Sequence, residues 1–293
     1  MYHAKSSGRD NTQLYSPSLT ARIVDRMALD ASLRAALDRN EFHLLYQPQI
    51  DVASGRMLSV EALIRWEHPT RGLVSPLEFI AAAEKIGLIE RIGTWVLRTA
   101  CADAVRWARA GTPLRVAVNL SPLQFTPRLP HRVIDALDES GLDPALLELE
   151  VTEGALMDNS AATMALLDEL GRHGVRIALD DFGTGYSSLA YLTRMPISNI
   201  KIDKCFVTDL LGGGQSAAIV RAVRAMASSL GMSVTAEGVE NLEQAQLLKA
   251  ISCDFLQGYY FSRPVAPVRV PELATRRWSL AGAPDTERDG SLA

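Results

Sequence analysis

Residues 175–181 read VRIALDD. In an extended chain successive side chains point to opposite faces, so Val175, Ile177 and Leu179 share one face, and Arg176, Ala178 and Asp180 share the other. Four further runs repeat this phase. RVAVNL (115–120) sets Val116, Val118 and Leu120 against Arg115, Ala117 and Asn119, and LLELEV (146–151) sets Leu147, Leu149 and Val151 against Glu148 and Glu150. NIKID (199–203) sets Ile200 and Ile202 against Asn199, Lys201 and Asp203, while MSVTAE (232–237) sets Met232, Val234 and Ala236 against Ser233, Thr235 and Glu237. Each run offers an apolar face to covering helices and closes, on the other face, with an acid, an amide or a lysine. Any one such residue is explained by the start of a loop; five in phase call for a common pocket.

Between these runs lie amphipathic stretches at residues 160–172, 216–230 and 241–251, with apolar residues three and four apart. CDFLQG (253–258) adds a strand. Two earlier strands, FHLLYQPQID and MLSVEALIRW, flank a Ser54-Gly55 turn and lead into helices over residues 75–87 and 90–110. Eight strands alternating with helices give an α/β fold, a (β/α)8 TIM-like barrel, and the opening hairpin makes one strand antiparallel to the rest. An open doubly wound sheet is the alternative. In a barrel the five polar strand ends meet at the carboxyl-terminal mouth, where barrel enzymes do their chemistry.

The chain has 293 residues, of which 47% are hydrophobic, enough for a large single core. Its 30 Lys and Arg against 34 Asp and Glu leave a net charge of −4, which excludes a DNA or RNA polymer as the expected partner. Cys101, Cys205 and Cys253 are odd in number and outside any CxxC spacing, which points to a reducing, cytoplasmic setting rather than a disulfide scaffold. No apolar run of membrane-spanning length occurs, so no membrane contact is expected of this chain; Arg221 and Arg224 interrupt the most helical candidate. Composition divides the chain into a polar leader (1–27) with a helical end, a plausible C-cap glycine and a short polar strand, a main domain (28–278), and a polar small-residue tail (279–293) expected to be disordered.

Carboxylates gathered in one pocket need cations to neutralise them. Asp180 and Asp181 leave opposite faces of one strand end, a placement that reaches two neighbouring metal positions. Oxygen donors without His or Cys clusters favour Mg²⁺ or Mn²⁺ over a structural zinc. His68, in WEHP, reads as a structural hydrogen-bonding group. DFG at 181–183 lacks the HRD partner of a kinase, and GTGYSS has Ser188 where a dinucleotide fingerprint needs its third glycine. Gly183 and Gly185 instead suit a loop that bends over the metal site.

In this order YQP (46–48), EALIRW (61–66), NLSPLQF (119–125), EVTE (150–153), DDFGTGYSSLAYL, KIDKCFV, AEGVE and QGYYFSRP resemble the EAL-domain phosphodiesterases, which linearise cyclic di-GMP to pGpG; the similarity covers about 28–271. The leader resembles the closing residues of a GGDEF diguanylate cyclase, which implies an upstream GGDEF-like domain as a partner in a longer protein. The resemblance implies that Glu61, Asn119, Glu150 and Asp180 ligate one Mg²⁺ or Mn²⁺ and that Asp180 and Asp181 hold a second. It implies that Lys201 and Glu237 position and polarise the attacking water, that Gln257 supports the site, and that Glu153 anchors the loop after Asp181. Gln47, Leu63, Arg65 and Asp203 are the implied substrate contacts, and a homodimer is implied as the assembly. Glu61, Leu63 and Arg65 do share one strand face. Degenerate members that lose acids act only as cyclic di-GMP receptors, the alternative reading; here no implied ligand is missing.

Overall fold

The computed structural model describes residues 17–157, 161–183, 192–212 and 214–280. They fall into two compact units, one of residues 17–42 and 66–88, the other of residues 43–65 and 89–280.

The larger unit carries the barrel. Its strands are β1 (Phe42–Asp51), β2 (Met57–His68), β4 (Arg115–Leu120), β5 (Leu147–Thr152), β6 (Arg176–Phe182), β7 (Ile197–Ile202), β8 (Ser233–Ala236) and β9 (Phe255–Gln257), numbered so that β3 is Gly72–Val74. The order β1-β9-β8-β7-β6-β5-β4-β2, with β1 also paired to β2, closes the sheet on itself. The ladders from β2 through β4 to β9 are parallel, while β1 pairs β9 antiparallel. This is the mixed eight-stranded barrel expected from the hairpin at the start. The two strands of that hairpin turn at Gly55, which has a φ of 66° and whose Cβ, if it had one, would collide with the Trp278 carbonyl oxygen. Trp278 N–H donates to Gly55 O (2.8 Å) and Arg277 Nε to Ser54 O (2.9 Å), so the end of the domain is laced to the turn.

The outward residues of the five phased runs are buried without exception, from Val116 through Leu149, Ile177 and Ile200 to Val234. Helices Ile89–Arg109, Ala161–Arg172 and Gln215–Ser229 pack on them. Helix Leu129–Ser140, which begins with a proline in its first turn and ends on left-handed Gly141 (φ 73°), carries a strong enough apolar stripe to pack on Ile89–Arg109. Asn241 and Ser121 cap the segments that follow β8 and β4; each accepts a backbone N–H while Gln244 or Gln124 reaches back.

The barrel interior is polar. Beneath the mouth, Glu148 is buried yet satisfied by Arg115 Nη1 (3.4 Å), Arg176 Nε (3.3 Å) and Asn199 Nδ2 (3.3 Å), and Asn199 in turn bonds Thr235 and Ser233. Glu148 shares the phase of Glu150, but this bonding makes it a structural plug below the site.

In the smaller unit, Trp66 Nε1 donates to Glu41 Oε2 (2.9 Å) and its ring packs with Phe42 and Phe79. Strand β3 pairs Trp66–His68. His68 is buried, and its Nδ1 accepts Thr70 N–H (3.2 Å) and Arg71 N–H (3.3 Å), the structural role its sequence context indicates. Helix Pro17–Ala36 runs through the compositional change at residue 27. The first sixteen residues of the leader and the tail from 281 lie outside the described residues, as do Gly185 and Ser188.

Candidate active site at the barrel mouth

Parallel strands deliver their carboxyl ends to one mouth, and the inward phase determines what arrives there. Lys201 on β7 is 1% exposed, and its Nζ lies 2.6 Å from Glu237, 2.8 Å from Glu150, 3.1 Å from Asp180 and 3.7 Å from Glu61. Glu61 and Glu237, 176 positions apart in the chain, are thereby held on one ammonium. Asn119 Nδ2 donates to Glu61 Oε1 (2.7 Å), adding the fourth of the implied ligands. Burial alone would lower the Lys201 pKa, but the charges of Asp180, Glu150, Glu237 and Glu61 raise it well above the ordinary lysine range. Burial pushes Glu150 well above the usual carboxylate range, with the Glu61 charge adding to it, and carries Glu237 to about 8. Burial also disfavours the charge on Glu61, yet Lys201 and the Gln257 and Asn119 donors hold it below its ordinary value.

Strand β6 departs from simple alternation where the opening motif ends. Its pairing with β7 shifts between Leu179↔Ile200 and Phe182↔Ile202, so Asp180 and Asp181 together oppose Lys201, the two-against-one count of a bulge. Asp181 has a φ of 54°, a left-handed conformation that costs a non-glycine residue energy. Asp180 Oδ1 accepts the Asp181 N–H (3.0 Å), which fixes the turn. The Asp181 carboxyl lies within electrostatic reach of Asp203. Burial first, then the charges of Asp180 and Asp203, raise the Asp181 pKa, while Asp203, despite some burial, is lowered because Cys205 donates to it. Asp203 also caps helix Lys204–Thr208, accepting Cys205 N–H at 2.9 Å.

On the opposite wall, Gln257 Nε2 donates to Glu61 Oε2 (2.6 Å) and to Gln47 Oε1 (3.1 Å). Gln257 Oε1 accepts from Gln49 Nε2 (3.0 Å), and Gln49 Oε1 accepts from Ser59 Oγ (2.6 Å). Gln49 and Ser59 escape the sequence reading; the signal for Gln49 is its place two residues after Gln47, on the same face of β1. Leu63 and Arg65 are half-buried on the β2 face that carries Glu61, and Arg65 lies within electrostatic reach of Tyr259 and Glu61. Arg263 stacks over the exposed Tyr259 ring at 4.6 Å. Glu153 starts helix Glu153–Met157, is 6% exposed, and among the described residues accepts no hydrogen bond at either carboxylate oxygen. Its implied partner, the loop after Asp181, lies outside the described residues from position 184 to 191.

Gly258, directly after Gln257, touches the Val239 backbone so closely that a Cβ would overlap its N, C and O atoms. Gly258→Ala is expected to destabilise the domain by about 3 kcal/mol, because neither partner in the overlap is a movable side chain. Thermal or urea unfolding measures this, and a wild-type midpoint would refute the constraint.

A divalent cation suits this mouth on three counts. The carboxylates of Glu61, Glu150, Asp180, Asp181 and Glu237 face a single lysine. Neither oxygen of the buried Glu150 accepts a well-directed hydrogen bond, although Lys201 Nζ stands close to Oε2. The donors are all hard oxygens. Among the described residues no group of three or more His, Cys, Asp and Glu already stands at ligand spacing, because the acids turn toward the Lys201 ammonium.

Fold and mouth together define a TIM-like barrel protein with an acidic, cation-seeking site. The chain belongs to the EAL domain family, which it matches over residues 30–264. It is 43% identical over 267 residues to the bifunctional diguanylate cyclase/cyclic di-GMP phosphodiesterase MucR of Pseudomonas aeruginosa, covering 90% of this chain and 39% of that protein. To the cyclic di-GMP phosphodiesterase NbdA of the same organism it is 42% identical over 286 residues, covering 97% of this chain and 36% of the other. Among solved structures, the PaMucR phosphodiesterase in complex with c-di-GMP superposes with a TM-score of 0.80 at 44% identity, covering 83% of this chain and 99% of that one. The chain spans about a third of the length of the first curated relatives it matches, such as 34% of a Caulobacter vibrioides signaling protein. No described helix is long and apolar enough to cross a membrane.

Proposed function

We propose that this domain is a Mg²⁺- or Mn²⁺-dependent phosphodiesterase that hydrolyses cyclic di-GMP to pGpG. The observation that carries the reading is the convergence of Glu61, Glu150, Asp180 and Glu237 on the Lys201 ammonium, with Asn119 bonded to Glu61. Glu61, Asn119, Glu150 and Asp180 would hold one ion, and Asp180 with Asp181 the other. When bound, such ions acidify a water and draw charge from the phosphoryl oxygens. Arg65 supplies the fixed positive charge for a phosphate on the same strand face as Glu61, with Leu63 between them packing against the substrate. Lys201 orients the water, and Glu237, held 2.6 Å from the Lys201 ammonium, accepts its proton. Gln47 offers its amide from the mouth wall, and Asp203 contacts the substrate from the end of β7. Glu153 waits for the backbone of the loop after Gly183.

The deciding experiment incubates the protein with cyclic di-GMP and Mg²⁺ or Mn²⁺ and follows pGpG by chromatography. Product that disappears with EDTA supports the reading. Saturable cyclic di-GMP binding with no product at any metal concentration would instead make the domain a receptor.

A further inference from the structure

We infer that Gln49 and Ser59 are positioning residues that set the polarity of the amide chain behind Glu61 and so tune its hold on a divalent ion; this rests on the metal-dependent reading above. The chain of contacts is Ser59 Oγ to Gln49 Oε1, Gln49 Nε2 to Gln257 Oε1, and Gln257 Nε2 to Glu61 Oε2. Ser59 and Gln49 are each 1% exposed, so water cannot substitute for a lost partner. An amide can be turned end for end without changing its shape, and three amide or hydroxyl groups in series have two self-consistent directions. Only one of them serves the site. An ionised carboxylate accepts and never donates, so Gln257 must present Nε2 to Glu61; its Oε1 then needs a donor, which is Gln49 Nε2. Gln49 Oε1 is left seeking a donor in turn, and Ser59, a hydroxyl able to play either part, supplies it at the closed end.

The same Gln257 nitrogen also reaches Gln47 Oε1, which leaves the Gln47 amide nitrogen free to point away from Gln257, toward Ser262 O at 3.4 Å. One fixed amide thus orients both a metal-facing carboxylate and a mouth-facing glutamine. Groups that orient a ligand from behind change metal affinity by roughly 10–100-fold when removed. Gln49 touches neither metal ligand nor mouth directly, so its effect travels through Gln257.

The test uses Gln49→Glu and Gln49→Met in the whole chain. Glutamate at 49 is nearly isosteric but, once ionised at alkaline pH, has no donor, so Gln257 must then turn its nitrogen toward it and its oxygen toward Glu61. Methionine fills the space and removes the donor without reversing the chain. Mn²⁺ titration of each protein by calorimetry, without substrate, reads the result: about 100-fold weaker binding is expected for Gln49→Glu and about 10-fold for Gln49→Met. Circular dichroism and melting accompany each titration, and if Gln49→Glu does not fold, Gln49→Met alone carries the test. Wild-type Mn²⁺ affinity in a folded Gln49→Met overturns the inference while leaving the metal site standing. A wild-type protein that binds no Mn²⁺ overturns the metal reading and this inference with it.

Discussion

Asp180→Asn is expected to lower the rate of cyclic di-GMP hydrolysis by about 10³-fold, more than the roughly 10–100-fold that follows loss of a group behind a ligand. Asparagine keeps the oxygen that accepts the Asp181 N–H, so the bulge and the left-handed pose of Asp181 survive. What disappears is the one charge shared between the two proposed ion positions. The substitution therefore separates chemistry from folding: the melting temperature should stay near that of the wild type while Mn²⁺ affinity and turnover collapse together. Robust pGpG formation by Asp180→Asn would remove Asp180 from the bridging position.

Lys201→Met should produce the largest change in stability. The lysine is fully enclosed and is the common partner of Glu61, Glu150, Asp180 and Glu237. Breaking a buried ion pair by deleting one partner costs about 3–5 kcal/mol, because a charge is left buried without compensation. The acids respond by taking up protons, and the loss therefore depends on pH. An acid whose folded pKa lies above its unfolded value contributes stability at low pH and loses it as pH rises through the folded value. Glu237 already sits at about 8 against an ordinary 4.5, and Glu150 is also raised. Metal-free Lys201→Met should thus be markedly less stable at pH 8.5 than at pH 6. Mn²⁺ binds only the folded form, so it should raise the variant's melting temperature. A variant whose melting temperature is unchanged by pH and by Mn²⁺ would mean that the acids do not share the lysine's field.

The alternation in residues 175–181 and its four echoes told most of the barrel, because a sheet buried on its outer face by helices obliges a period of two. The reversed first strand was visible too, since a Ser-Gly turn joins it directly to the second. Four features were hidden for definite reasons. The bulge at Asp180 and Asp181 depends on how β6 registers against β7, a relation between segments that neither sequence contains alone. Glu148 looks the same as Glu150 along the chain; its partners Arg115 and Arg176 lie 33 and 28 residues away, and only those contacts separate a plug from a ligand. Gln49 and Ser59 were overlooked because neutral side chains in a strand carry no mark until the acid they serve is located. The helix Leu129–Ser140 went unread because its proline and terminal glycine look like loop punctuation.

The reversal of β1 has a practical consequence. Because that strand runs downward, its closing turn at Ser54 and Gly55 hangs from the end of the barrel opposite the mouth, and Trp278 is tied to it by a backbone hydrogen bond. The indole of Trp278, edge-on to Phe261 with 6.3 Å between ring centres, is a native optical probe of that far pole. With the other three tryptophans, Trp66, Trp95 and Trp107, replaced by phenylalanine, its emission would report fraying at the base of the molecule while leaving the mouth free of any attached dye.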